Sequence, residues 1–135
     1  MVSYQSRLRA RYAETDQMGV IHHSVYLVWL EMARVDYCRA AGFDYGRMER
    51  EDGILMVVVE THCRYVHPTR FDDEVLIDVR LLESHPRLVR FGYEVRRASD
   101  SRLLVSAETR HVFCNRTMRP IRLPRQYWPL FGIGA

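Results

Sequence analysis

The sequence predicts an α+β fold, a five-stranded antiparallel sheet wrapped around one long central helix. Three observations predict it. One alternating segment comes first, one strongly apolar helical segment second, and four long alternating segments last. The breaks between the later segments are short, which favours antiparallel pairing over parallel crossovers. The helix is apolar over so much of its surface that more than one neighbour must bury it, and a curled sheet does that.

Each element follows from its residue pattern. Residues 4–13 alternate, with Leu8, Ala10 and Tyr12 on one side and Arg7, Arg9 and Arg11 on the other, the mark of a half-buried strand. A loop runs from Glu14 to His23. A helix is predicted from about Val25 to Ala41, with Ser24 as N-cap and Gly42 as its stop. Its apolar stripe is Tyr26, Trp29, Leu30, Ala33, Tyr37 and Ala40, and a short helical turn follows at 44–51, ending near Gly53. Strands are predicted over 54–66, 74–83, 88–97 and 103–114. Inward positions are Val75, Ile77, Val79 and Leu81, then Val89, Phe91, Tyr93 and Val95, then the odd positions from Leu103 to Phe113. Pro120, Pro124 and Pro129 predict an irregular tail. One helix cannot cover both faces of such a sheet, so an edge or outer face is expected to pair with a second subunit.

Composition narrows the function classes. A chain of 135 residues suits one domain spanning 1–135. Its 47% hydrophobic and 27% charged residues predict a folded core. No apolar run is long enough for a membrane span, and the N-terminus lacks the plan of a signal peptide, so the expected location is cytoplasmic. The net charge of +3 argues against nucleic acid as partner. All 20 basic residues are arginine, a side chain suited to bidentate phosphate contact. Cys38, Cys63 and Cys114 are scattered and odd in number, which indicates neither a disulfide framework nor a zinc knuckle.

The densest polar cluster is Glu14 to Ser24, in the loop feeding the helix N-terminus. Free backbone N–H groups and the helix dipole favour negative charge there, including a carbonyl oxygen becoming an oxyanion. A carboxylate in the same loop can attack that carbonyl or activate water. Asp16 is therefore a candidate catalytic residue, although an Asp before a helix is ordinarily a turn or capping residue. Gly19 is most simply a position of positive φ. His22 and His23 are adjacent and have no third ligand at helical spacing, so no metal is expected. Glu31 is expected to hydrogen-bond a buried partner, and Tyr26 and Trp29 to belong to the core.

The run Arg11-Tyr12-Ala13-Glu14-Thr15-Asp16-Gln17-Met18-Gly19-Val20-Ile21-His22-His23-Ser24-Val25-Tyr26, followed by Trp29-Leu30-Glu31-Met32-Ala33-Arg34, resembles the signature of the 4-hydroxybenzoyl-CoA thioesterase family. It is most similar to the branch that includes the Tol-Pal-associated short acyl-CoA thioesterases. The stretch from Arg64 to Val75, with His67-Pro68-Thr69 and Asp72-Asp73, matches as well, and the similarity covers about residues 4 to 127. The resemblance implies a hotdog fold, a dimer or tetramer with active sites at subunit interfaces, and no metal or organic cofactor. It implies an acyl-coenzyme A substrate, with Asp16 as nucleophile or general base and the His23 backbone N–H polarising the thioester carbonyl. It implies Gly19 and Tyr26 beside the substrate and Arg87 on the coenzyme A phosphates. His23 stands where the aromatic-acyl enzyme has Tyr, and only Arg87 answers to that enzyme's basic phosphate loop. Other readings are an acyl-acyl carrier protein thioesterase and a non-catalytic acyl-ligand binding protein. A hotdog dehydratase is a further reading, but the Gly19-to-Tyr26 signature is not that of such enzymes.

Overall fold

The computed structural model describes residues 3–134. Five strands form one antiparallel sheet: β1 (Ser3–Arg9), β2 (Leu55–Tyr65), β3 (Glu74–His85), β4 (Leu88–Arg97) and β5 (Leu103–Cys114). Two helices, α1 (Val25–Ala40) and α2 (Tyr45–Asp52), separate β1 from β2. The sheet order is β1-β3-β4-β5-β2. The short turns do make β3–β4 and β4–β5 antiparallel neighbours, whereas β2 lies at the far edge against β5. The chain therefore crosses the sheet between Tyr65 and Glu74. Val66 and His67 both donate their N–H groups to the Leu104 carbonyl at the start of that crossing.

Alternation puts Val75, Ile77, Val79, Val89, Phe91, Tyr93 and Val95 on one face, all buried. Against that face lies the α1 stripe of Tyr26, Trp29, Leu30, Ala33, Tyr37 and Cys38. Removing this much apolar surface from water is the main stabilising term. The contact also encloses a polar chain. Arg34 donates to the Tyr93 hydroxyl at 3.2 Å, Tyr93 Oη meets Thr109 Oγ1 at 2.6 Å, and Thr109 Oγ1 meets His111 Nε2 at 2.8 Å. Burial, with the charge of Arg34, pushes the His111 pKa down to about 3, so its imidazole is neutral at ordinary pH.

The α1 stop follows the expected chemistry: Gly42 has φ 100°, and the N–H groups of Ala41 and Gly42 close on Tyr37 and Arg39 carbonyls. Asp44 caps α2 by accepting from the Arg47 N–H at 3.1 Å, and Gly53 ends it in the left-handed conformation.

Five expectations change. The first strand stops at Arg9, because the Glu14 carboxylate takes the Arg11 N–H at 2.8 Å and draws the chain into a 3-10 turn over Tyr12–Glu14. Tyr12 is 75% exposed rather than inward. Ser24 is no side-chain cap: its φ and ψ are already helical, and its hydroxyl meets His22 Nδ1 at 2.8 Å. Glu31 is exposed on the outer side of α1, and the buried acid is Glu14 instead. The proline-rich tail folds back as a 3-10 segment, Arg125–Phe131, which buries Trp128 and Phe131. Among the described residues, no helix is long and apolar enough to cross a membrane.

Candidate active site

The loop before α1 is a small closed turn. Thr15 and Ile21 form an isolated antiparallel bridge, and the Asp16 N–H donates to the Val20 carbonyl at 2.9 Å. The Gly19 N–H returns to the Asp16 carbonyl at 3.0 Å, and the Met18 N–H donates to Asp16 Oδ1 at 2.8 Å. Gly19 sits at φ 80° with no atom within 4 Å of an added Cβ. Backbone sign, not crowding, thus accounts for glycine there. The turn orients one carboxylate oxygen of Asp16 by a backbone N–H, as the ordinary turn chemistry of Asp provides.

Two buried anchors hold this turn against the helix. Glu14 accepts from the Arg11 N–H and, at 3.0 Å, from the Trp29 indole Nε1. Burial alone would raise its carboxyl pKa. The hydrogen bonds from Arg11 and Trp29 and the Arg11 charge outweigh that, and the net direction is down. Thr69, in the crossing between β2 and β3, is the second anchor. Its carbonyl accepts the Ile21 N–H at 2.8 Å, and its hydroxyl accepts from the Tyr26 hydroxyl at 2.9 Å. Burial raises the Tyr26 pKa, so that hydroxyl stays protonated as a donor.

The anchors use the backbone donors one by one. Ile21 donates to Thr69, His22 to the Glu14 carbonyl at 2.9 Å, Ser24 to His22 Nδ1 at 3.2 Å, and Val25 to the His22 carbonyl at 3.0 Å. Among the described residues nothing accepts from the His23 N–H. Between Ile21 and Val25 it is the one donor without an acceptor among the described residues, and it stands at the N-terminus of a 16-residue helix.

A cavity of about 300 Å³ lies here, lined by Asp16, Met18, His23, Tyr26, Tyr65 and Pro68, with Val20, Ile21, Val66 and His67 completing the wall. Its walls are mainly apolar and it carries few polar groups, as acyl pockets require. Asp16, His23 and Tyr26 thus converge. Gly19 does not line the cavity and only shapes the turn. Arg87 does not line it either: it sits in the turn after β3, while the cavity's Pro68 wall adjoins the start of that strand. Twelve strand residues span on the order of 35–40 Å, so Arg87 lies far from Asp16 within one chain. The Leu123 N–H donates to the Pro86 carbonyl at 2.6 Å, which docks the tail on the Arg87 turn. Arg122 and Arg125 stand 5.4 and 5.2 Å from the Trp128 ring there. Arg90, by contrast, is engaged by Glu83 and Glu108. Sequence reasoning missed Tyr65 and Thr69 as site neighbours, and the tail arginines as neighbours of the Arg87 turn. The signals available were an aromatic near the end of an edge strand and an Arg at every third residue from 116 to 125.

The curled sheet, the central helix and a carboxylate loop at the helix N-terminus define the hotdog thioesterase class. The chain belongs to the thioesterase-like superfamily, whose family model matches residues 10–127. It is similar to the solved structure of hypothetical protein TT1821 from Thermus thermophilus, with 41% identity, TM-score 0.89, and 95% of this chain and 96% of that one covered. It is similar also to the DHNA-CoA thioesterase from Staphylococcus aureus, with 32% identity, TM-score 0.88, and coverage of 96% and 85%. The acyl-CoA thioesterase YbgC of Haemophilus influenzae is 26% identical over 121 residues, 88% of this chain and 87% of that protein.

The Glu14 tie generates a prediction. Its folded pKa lies below the ordinary 4.5, so its contribution is full above that pH and is lost as pH falls through the folded value. Glu14→Gln is expected to lower unfolding free energy at pH 7 by roughly 1–3 kcal/mol, because one buried donor loses its acceptor. It should also flatten the loss of stability on acidification. Urea denaturation at several pH values measures both, and an unchanged midpoint at pH 7 would contradict the role.

Proposed function

We propose that this chain hydrolyses acyl-coenzyme A thioesters. One observation carries the reading: the Asp16 carboxylate and a helix-start N–H with no acceptor among the described residues, that of His23, belong to residues lining the same cavity. A thioester carbonyl oxygen accepting from the His23 N–H becomes more electrophilic at carbon, and the helix dipole stabilises the negative charge that develops. Asp16 then serves in one of two ways. As nucleophile it forms an acyl-aspartyl anhydride, expels coenzyme A thiolate, and is released by water. As general base it takes a proton from water, whose oxygen attacks the carbonyl and displaces the same thiolate. Tyr26 bounds the acyl group in both cases. Neither route needs a metal or organic cofactor.

Within the family, the Gly19-to-Tyr26 run supports membership of the Tol-Pal-associated branch. The acyl group is a short aliphatic, benzoyl or naphthoyl unit.

The catalytic roles separate by substitution. Asp16→Asn keeps the shape and the Met18 contact but removes the charge, and kcat/KM should fall about 10²-fold or more. His23→Ala retains the backbone N–H and should cost less than about threefold, whereas a general-base imidazole would cost on the order of 10² to 10⁴. Asp16→Asn keeping above about a tenth of the parent activity would remove Asp16 from the chemistry.

We further propose a homo-oligomer, a dimer or a pair of dimers. The outer side of α1 exposes Leu27, Val28 and Met32, and the edge strand β2 exposes Val58 and Val59, at 43–53% of each residue. Soluble proteins rarely leave such an edge uncovered, and a two-fold pair is the commonest cover. The distance from Arg87 to Asp16 supports the same reading, since only a second copy brings an Arg87 turn near the cavity. Light scattering at micromolar concentration should give at least twice the chain mass of 16.0 kDa. An active species of single-chain mass would contradict the interface site.

In that arrangement Arg87, joined by Arg122 and Arg125, supports the coenzyme A phosphates. Arg87→Ala should raise KM for an acyl-CoA and leave an acyl-pantetheine unaffected, and salt should raise the parent KM as well. Equal effects on both substrates would take Arg87 out of the nucleotide site.

A further inference from the structure

The open N–H of His23 needs a fixed direction to act as a preorganised donor, and the usual device for fixing a helix start is missing. Ser24 makes no side-chain cap, its own N–H relies on a 3.2 Å bond to the neighbouring His22 ring, and His22 and His23 are both exposed. Within the loop the His22 N–H is tied to Glu14 on one side of residue 23, and the Ser24 and Val25 N–H groups return to His22 on the other, but none of these bonds uses the His23 carbonyl.

A single long-range contact reaches that carbonyl. The Tyr65 hydroxyl, on the inner side of edge strand β2, donates to the His23 carbonyl at 3.0 Å, across 42 residues of sequence. Its ring packs 5.5 Å from Tyr26, tilted, and edge-on to His23 at 6.5 Å. Partial desolvation of this half-exposed side chain, with Cys63 and Tyr26 beside it, raises the Tyr65 pKa to about 12, so the hydroxyl is protonated at neutral pH. The hydroxyl thus grips the same residue whose N–H is open, and the ring lines the same cavity.

We propose that Tyr65 is a positioning residue: its hydroxyl clamps the His23 carbonyl and thereby aims the His23 N–H at the thioester oxygen. This rests on the hydrolase reading above. A donor free to rotate must be reorganised as charge develops, and fixed donors do not pay that cost. The effect of the clamp therefore falls on the transition state more than on ground-state binding, and it appears in kcat rather than KM. Tyr65 is not a catalytic residue in this scheme, since its hydroxyl faces the backbone and not the substrate.

The test is Tyr65→Phe, which removes one hydroxyl and keeps the ring packing on Tyr26 and His23. Loss of one hydrogen bond worth about 1 kcal/mol predicts a fall in kcat of roughly five- to tenfold, with KM within about twofold. A second readout separates aiming from general damage. With Asp16→Asn in both proteins, the vibrational frequency of the bound benzoyl-CoA carbonyl should move back towards its value in water when Tyr65→Phe is added. An unchanged kcat, a rise confined to KM, or an unaltered carbonyl frequency would each overturn the positioning role. If the unsubstituted chain released no thiol from any acyl-CoA, the hydrolase reading would fall first, and the Tyr65 role with it, before the variants are compared.

Discussion

The buried carboxylate of Glu14 is the constraint on which the site depends. It joins three parts of the chain: the end of β1 through Arg11, the body of α1 through Trp29, and, by its own carbonyl, the His22 N–H. A buried carboxylate is costly unless hydrogen-bonded, so the chain must bring both donors to it at once. Meeting that demand ends the strand at Arg9, starts the 3-10 turn, and fixes the distance between the Asp16 turn and the helix. Thr69 completes the frame from the opposite side by holding Ile21 and Tyr26. What is left over, one carboxylate and one N–H, is the candidate chemistry.

The sheet serves this site in two ways. Its crossing segment between β2 and β3 supplies Thr69 and the Pro68 wall, so the cavity exists only because β2 lies at the edge against β5 and not beside β3. Its inner face clamps α1 through apolar contact and through the Arg34, Tyr93, Thr109 and His111 chain. Polar groups so deeply buried add little net stability, but they penalise any sliding of the helix that would leave one unpaired. The outer stripe of α1 and the free edge of β2 are among the parts that the chain does not cover by itself.

Regular periodicity was legible in the sequence, and tertiary ties were not. Strands β4 and β5 carry the predicted bounds because their alternation is uninterrupted and their ends are marked by turn residues. The first strand was read too long because the arginines alternate through Arg11, while the interaction that stops it, Glu14 reaching back, has no periodic signature. Ser24 had the identity of a cap, but His22, two residues before it, already supplies Nδ1 to its N–H. Proline in the tail was a sound reason to expect irregular chain, yet Trp128 and Phe131 found room in the core. At the site, Asp16, His23 and Tyr26 came from the motif and share a cavity. Tyr65 was visible only as one more alternating residue, since nothing in sequence tells which carbonyl, 42 residues away, its hydroxyl meets.

The central claim is that this cavity turns over thioesters. Its most direct measurement is thiol release by the unmodified protein across a panel of short aliphatic, benzoyl and naphthoyl coenzyme A esters at neutral pH. The geometry predicts steady release with at least one of them, with kcat/KM in the ordinary enzyme range of about 10⁴ to 10⁸ M⁻¹ s⁻¹. A folded protein that binds these esters but releases no thiol from any of them would contradict it, and would leave the cavity as an acyl-binding site without chemistry.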